Sequence, residues 1–500
     1  MATVFQNCVP ETFSDLFLNG SQITSVLANV VQNATFQFDQ TLRFDQPEIP
    51  TSNFDYCNVT ISYNHAEENN TIIVETLLPT DNFNQRLIAV GGAGFVAGRG
   101  LLQQWQMLAN LAEGYATVTT DAGLGTSISA DSWALLSPGH VDLQKLQNLA
   151  SVSLNDLAIL AKQVVHAYSG APPLYSYWNG CSQGGRQGMM LAQLYPDAFD
   201  GIAAGAPAIY WTETMFNMYW SQLYMSMIDQ YPYGCELKAI TAAAVAYCDP
   251  LDGVEDGIVA DSDMCLEHFN VSSLVGTTVE DCAQTNGSVK ISKAAVMVAH
   301  ATWQGISDLQ GNILWPGFGI ATDIASGTAS TICNTTTCSM DVSESYGIPA
   351  NWLQLFVAKD PDFNLADLTL DEFISMFNNS KREYSSIIET QNPDLSEFSQ
   401  LGGKLISFHG LSDQDITPKG SRYYYQQVKL ATDGIQDFYR HFEVPGLAHC
   451  FGGTGGQPTS LFAQLRAWVE NGTAPETSPI SFTYQNVTYE NLLYPYDGDL

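Results

Sequence analysis

The chain is short of basic residues. Eighteen Lys and Arg stand against 52 Asp and Glu over 500 residues, a formal net charge of -34. That balance excludes nucleic acid as a partner, because releasing phosphate counterions needs a basic face. It equally argues against docking on an anionic membrane surface. Long apolar runs are missing too, so no stretch is suited to span a bilayer. The opening Met1-Ala2-Thr3-Val4 has no signal-peptide core and is expected to be a processed start. Internal repeats and low-complexity tracts are absent. Among the cysteines there is no CxxC or CxxxH metal spacing. The acidic excess is spread along the chain rather than held in a tail, which suits a soluble protein in acidic surroundings.

What is present defines a globular protein. At 45% hydrophobic and 11% aromatic residues the chain can bury a sizeable core. Its length implies two domains, or one domain carrying a large insertion. Ten cysteines, an even number, point to an oxidising compartment. N-x-S/T sequons at Asn19, Asn33, Asn58, Asn69, Asn270, Asn286, Asn334, Asn378, Asn471 and Asn486 agree with a secreted, extracellular glycoprotein.

The densest signal is Trp178-Asn179-Gly180-Cys181-Ser182-Gln183-Gly184-Gly185-Arg186. Apolar residues precede it and a helical run follows. A G-x-S-x-G turn from strand to helix is the layout of a nucleophile elbow, in which small neighbours admit a strained serine. The helix N-terminus then directs free N–H groups at whatever the serine attacks. A glycine-rich turn without chemistry gives the same five letters, so the motif needs partners elsewhere.

Strand-like runs flank it. Thr35 to Phe38, Val59 to Tyr63, Thr71 to Leu78, Arg86 to Val90 and Tyr115 to Asp121 come before, with a helix expected from about Leu154 to Tyr168. Phe199 to Pro207 reads as a strand ending in a loop. The pattern resumes at Gly402 to Gly410, then a helix from Ser421 to Ala431, a strand from Asp437 to Val444 and a helix from Ser460 to Glu470. Strands alternating with helices predict an α/β fold, a doubly wound and mostly parallel sheet covered on both faces. Residues 208–400 break the rhythm and read as an inserted lid. The catalytic domain is then discontinuous, residues 1–207 and 401–500.

An α/β-hydrolase orders its triad Ser, acid, His. Asp413 follows a buried strand and tight turn, with Asp415 two residues on as its rival; both could instead cap the next segment. Of eight histidines only His441 and His449 lie beyond Asp413. His441 sits inside an alternating strand, whereas His449 is in a loop past the last strand, so His449 is the expected general base. It would act on Ser182, with Asp413 fixing its tautomer. The oxyanion hole is expected from the N–H of Gln183 and from the loop Gly91-Gly92-Ala93-Gly94, with Gly92 and Ala93 as the donors. That loop alone would also suit a phosphate, but the Lys-Ser/Thr ending of a phosphate loop is missing. Cysteines adjoin two triad members, Cys181-Ser182 and His449-Cys450. If serine and histidine meet, their neighbours come close, so a Cys181–Cys450 disulfide is expected; two buried free thiols are the alternative.

Gly180-Cys181-Ser182-Gln183-Gly184-Gly185-Arg186-Gln187-Gly188 together with His449-Cys450 resembles the tannase and feruloyl esterase family. The likeness runs from the glycine loop to Trp468. It implies a serine carboxylesterase with a large lid, a Cys-Ser, Asp and His-Cys set, and a small phenolic ester as substrate. A terephthalate monoester or a fungal metabolite is the alternative within the family. A binding protein on a disabled hydrolase scaffold is the alternative outside it, and nothing marks a peptide subsite.

The stretch Cys248 to Asp261 packs carboxylates around two glycines. On composition alone it is either a Ca²⁺ loop or a solvated acidic turn. It resembles the family's lid calcium loop, which implies Asp249, Asp252 and Asp256 as side-chain ligands and Val254 and Ile258 as carbonyl ligands of a structural Ca²⁺. Cys248–Cys265 would close that loop, and Cys8–Cys57 resembles a family pair. Cys235–Cys282 and Cys333–Cys338 follow by remainder. The aromatic and methionine stripe from Tyr210 to Trp220 opens the lid and serves as core or as a wall for a flat acyl group. Related esterases often carry Gly-His after the strand that ends here at Asp121. This chain has Ala122-Gly123-Leu124, and its glycine loop carries Ala93 and Phe95, so the choice between gallate and hydroxycinnamate stays open.

Overall fold

The computed structural model describes residues 7–36, 43–50, 52–66, 70–340 and 347–497. The start of the chain, the Gln37-Phe38 end of the first expected strand and the sequon at Asn69 lie outside them.

Nine strands make one sheet. They are β1 (Ser21–Phe36), β2 (Ser52–His65), β3 (Ile72–Pro79), β4 (Arg86–Val90), β5 (Ala116–Thr120), β6 (Tyr175–Cys181), β7 (Gly201–Gly205), β8 (Lys404–Gly410) and β9 (Tyr439–Val444). Their spatial order is β1-β2-β3-β5-β4-β6-β7-β8-β9. The first four in that order pair antiparallel. From β5 to β9 every pairing is parallel.

The two faces of the sheet are visible residue by residue. Leu87 and Ala89 join one buried cluster and Ile88 the other; Trp178 and Tyr177, Ile202 and Ala203, Leu405 and Ile406 divide in the same way. That is the two-residue period of a strand with both faces covered. In β2 the same period shows differently, because Val59, Ile61 and Tyr63 are buried while Thr60 and Ser62 are half-buried. The helices that cover the sheet are α1 (Leu101–Ala112), α2 (Ser153–Ser169) and α3 (Gln183–Leu194) before the insertion. The insertion carries α4 (Trp211–Ile228), α5 (Gly234–Cys248), α6 (Lys293–Gln304) and α7 (Leu370–Ile388). After it come α8 (Pro418–Ala431) and α9 (Leu461–Asn471).

The insertion is built in two parts. Trp211, Phe216 and Trp220 of α4, Phe373 and Phe377 of α7, and Trp352 and Phe356 between them belong to the same core as Trp178 and Leu149 beside the sheet. The middle part has a core of its own, with Leu237, Ile240, Trp303, Ile320 and Ile324. Among the described residues three short hairpins lie in the insertion, a fourth pairs Leu135–Ser137 with His140–Val141, and a fifth pairs Ser478–Tyr484 with Val487–Leu493. Five disulfides use all ten cysteines: Cys8–Cys57, Cys181–Cys450, Cys235–Cys282, Cys248–Cys265 and Cys333–Cys338. Of the described sequon asparagines, Asn58 is half-buried and donates to Glu75 at 2.9 Å, and the others are exposed. Among the described residues no helix is long and apolar enough to cross a membrane.

Candidate active site

Ser182 sits between β6 and α3 at φ 62°. Its N–H donates to Gly205 O at 3.0 Å, and its carbonyl accepts the Arg186 N–H at 2.9 Å. The turn is tight enough to need glycine twice over. A Cβ on Gly180 would lie 2.6 Å from backbone of Gly184, and one on Gly91 would lie equally close to the Gly184 Cα. The elbow and the glycine loop are thus packed backbone on backbone.

Asp413, in the turn after β8, is fully buried. One carboxylate oxygen accepts the N–H groups of Asp415 and Ile416, each at 2.8 Å. The other takes His449 Nδ1 at 2.8 Å and His409 Nε2 at 3.2 Å. Burial by itself would raise the Asp413 pKa. The His449 charge and the hydrogen bonds from His409 and His449 outweigh it and hold the carboxyl well below the usual carboxylate range. At His449 burial pulls the other way, and Asp413 followed by Asp415 lifts the imidazole above its ordinary range. The His449 ring is 15% exposed, so its free edge reaches the cavity. Of the two acids weighed from the sequence, it is Asp413 that bonds the imidazole.

Ser182 and His449 line one cavity of about 420 Å³. The Cys181–Cys450 bond spans 269 residues of chain and sets the two Cα atoms beside them 6.0 Å apart. One wall is Trp211, Thr214, Met215 and Met218, the i, i+3, i+4, i+7 face of α4. Phe216, Tyr219 and Trp220 of the same stripe point into the core, so the stripe serves both purposes. Facing them are Gly92, Ala93 and Gly94. Among the described residues that line the cavity none is Lys or Arg, and the titratable side chains are His449 and Asp415.

Gly92 and Ala93 lie at the cavity, but their N–H groups are already engaged. Gly92 N–H donates to Gln187 Oε1 at 2.8 Å and Ala93 N–H to Val96 O at 3.0 Å. The assignment of both as oxyanion donors is therefore corrected: they shape the loop, and their hydrogens point to partners within the protein. Gln183 is the first residue of α3, where a helix has no i−4 acceptor for its N–H. Phe95 is also not a cavity residue. It is fully buried, stacked on Phe356 and edge-on to Trp133 and Trp211. After β5, Asp121 accepts the Gly123 N–H within its own turn and the Ile73 N–H from the neighbouring strand β3.

The proposed calcium ligands lie in one loop closed by Cys248–Cys265. Asp249 accepts the N–H groups of Asp256 and Gly257, each at 3.0 Å; Asp252 accepts that of Val254 and Asp256 that of Ile258. Burial raises the Asp256 pKa, and Asp249 and Asp252 add to the rise, so the three carboxylates are near one another. Among the described residues no group of three or more Asp, Glu, His or Cys side chains converges on a single metal point. Three carboxylates with two backbone carbonyls are nonetheless the hard-oxygen mixture that Ca²⁺ accepts, and carbonyl ligands relieve the need for more acids.

The family model for "Tannase and feruloyl esterase" matches residues 57–492. The chain belongs to the tannase and feruloyl esterase family. A probable feruloyl esterase of Arthroderma benhamiae is 38% identical over 446 residues, covering 87% of this chain and 80% of that protein. A tannase of Aspergillus oryzae is 28% identical over 491 residues, covering 88% and 81%. Among solved structures, a tannin acyl hydrolase from Aspergillus niger superposes with a TM-score of 0.86 at 27% identity, covering 99% of this chain and 92% of that one.

Several residues of this family member's site were invisible to motif reading. Gln414 Oε1 accepts the His449 N–H at 3.1 Å and so holds the histidine loop against the acid loop. Gln187 fixes the glycine loop from both ends, accepting from Gly92 and donating to Ala97 O. Arg186 is fully buried without a carboxylate partner. It donates to Gln183 Oε1 and to the carbonyls of Leu149, Ala150 and Ile388. Arg186 and Gln187 stand inside the elbow motif itself, but the motif gives no sign of the groups they bond. For Gln414 the hint was its place between two candidate acids.

Proposed function

We propose that this chain is a secreted serine carboxylesterase that hydrolyses esters of plant phenolic acids. One observation carries the reading. A strained serine and a histidine whose Nδ1 is held by a buried aspartate share a cavity walled by Trp211, Met215 and Met218. The names of the relatives, feruloyl esterase, tannase and tannin acyl hydrolase, supply the ester class.

Ser182 Oγ attacks the ester carbonyl carbon while His449 Nε2 takes its proton. The imidazolium that forms is stabilised by Asp413. Negative charge on the carbonyl oxygen is met by the Gln183 N–H at the start of α3, where the helix dipole adds to the field. As the tetrahedral intermediate collapses, His449 gives the proton to the leaving alcohol and an acyl-enzyme remains on Ser182. Water then repeats the sequence and releases the acid. The apolar wall suits a flat aromatic acyl group. The Ser182→Ala variant is expected to lose hydrolysis of p-nitrophenyl acetate and of methyl ferulate and methyl gallate while melting at the wild-type temperature. Retained turnover would refute the assignment.

Ca²⁺ is the cation proposed for the lid loop, held by Asp249, Asp252 and Asp256 and by the carbonyls of Val254 and Ile258. Its role is structural, since the loop is apart from the cavity-lining residues. Chelation with EGTA is expected to lower the melting temperature; at calcium a hundredfold above Kd the stabilisation is about 2.7 kcal/mol. An unchanged melting curve would remove calcium from the reading. Glycans on the exposed sequons and export to the extracellular space complete it, and digestion with an N-glycosidase should increase gel mobility of the secreted protein.

A further inference from the structure

We infer that His409 and Ser421 are positioning residues that extend the triad into the core and hold Asp413 in its working orientation, an inference that rests on the proposed esterase function. His409 lies in β8, four residues before Asp413, and is fully buried. Its Nε2 is 3.2 Å from Asp413 Oδ2 and 3.0 Å from Ile416 O. A carbonyl oxygen only accepts, and a carboxylate only accepts, so Nε2 carries the hydrogen and shares it between the two. In the neutral ring Nδ1 is then the acceptor. Ser421 Oγ, buried in α8, stands 2.8 Å from it and supplies the hydroxyl hydrogen. The resulting chain runs Ser421 Oγ–H to His409 Nδ1, His409 Nε2–H to Asp413 Oδ2, and His449 Nδ1–H to the same oxygen.

This arrangement does two things. Asp413 must stay ionised in a buried site, and each N–H aimed at it helps to keep it so. It must also keep Oδ2 on His449. The backbone N–H groups of Asp415 and Ile416 pin Oδ1, and His409 pins Oδ2 from the side away from the cavity. Ser421 sets the tautomer on which this depends. The opposite tautomer would aim an Nε2 lone pair at two acceptors. The carboxylate itself is not protonated in turnover, so the chain orients and does not relay a proton. Neither His409 nor Ser421 lines the cavity, so neither touches substrate.

The test compares His409→Leu, His409→Gln and Ser421→Ala with wild type on p-nitrophenyl acetate, alongside melting curves. His409→Leu should lower kcat about tenfold to a hundredfold with KM little changed, the scale of one hydrogen bond to a charged group. His409→Gln, whose amide can still donate to Asp413, should recover part of that loss. Ser421→Ala should fall between wild type and His409→Leu. A merely structural role predicts instead that Gln and Leu lose activity only in proportion to lost folded protein. A folded His409→Leu with kcat within about twofold of wild type, or a His409→Gln no better than Leu, overturns the inference. Wild-type turnover in the same assay keeps failure of this inference apart from failure of the esterase reading.

Discussion

Three non-glycine residues around the nucleophile hold positive φ: Ser182 and Cys450 at 62° and Ala206 at 34°. Such backbone is sterically costly outside glycine and persists where its surroundings over-determine it. Here the surroundings are the Gly205 carbonyl, the backbone contact with the glycine loop and the disulfide. Asp413 is over-determined in another way, by four hydrogen bonds. Replacing it with Asn should lower kcat by about four orders of magnitude, through the wrong histidine tautomer. The pH profile should move as well. His449 acts as a base only when neutral, so activity rises with pH through its pKa, which Asp413 elevates. Without that charge the acid limb should shift to lower pH. An acid limb that stays in place would show that another group sets it. At this scale the Asp413–His449 pairing was readable from sequence, because chain order and elimination left one histidine in a loop. Gln187, which spends the Gly92 hydrogen from 95 residues away, was not. The partner of a loop N–H is a tertiary fact.

At the scale of elements, two connections matter most. One is the Cys181–Cys450 bond between the elbow and the histidine loop. Mild reductant should lower esterase activity before the protein unfolds, as judged by tryptophan fluorescence; full activity after the bond is broken would make it a stabiliser only. The other is the place where α4 begins and α7 ends. Thr212 Oγ1 donates to Glu213 at 2.8 Å and also contacts Glu389, while Lys381 reaches Glu213 at 2.6 Å. Burial, then the neighbouring Glu213, pushes the Glu389 pKa well above the usual carboxylate range. Folding therefore retains a proton that the unfolded chain releases. Its contribution is full at a pH below the unfolded pKa and is lost as pH rises toward the folded one. The melting temperature of Glu389→Gln should thus fall less than that of wild type between about pH 5 and pH 8. Equal slopes would assign the proton elsewhere. Most strands of the sheet were legible because buried runs such as Arg86–Val90 and Gly201–Gly205 leave few alternatives, but Ser21–Ala34 of β1 and the whole of α1 (Leu101–Ala112) were not read. The hairpins of the insertion were not, since strands of three to five residues carry too little period to read; the longer pair Ser478–Tyr484 and Val487–Leu493 was missed although its first strand alternates buried and exposed residues.

For the whole molecule the sequence indicated where the rhythm of the sheet stops and resumes, and among the described residues no strand of the nine-stranded sheet lies between Gly205 and Lys404. It did not indicate how the stretch between them is divided. Periodicity reports that a side chain is buried; it does not report which core receives it. Trp211 and Trp352 pack edge to face with ring centroids 6.0 Å apart, and Trp352 is stacked on Phe356 at 4.7 Å, in the core that also holds Trp178 behind the nucleophile. Helices α4 and α7 are therefore as much foundation as roof. Modularity follows a different line from the chain boundaries. The piece that could be exchanged between family members as a cassette is the middle, with its separate core around Leu237 and Trp303. A graft cut at 208 and 400 would carry away half the masonry under Ser182, whereas one cut inside α4 and α7 would change the ceiling and leave the wall standing.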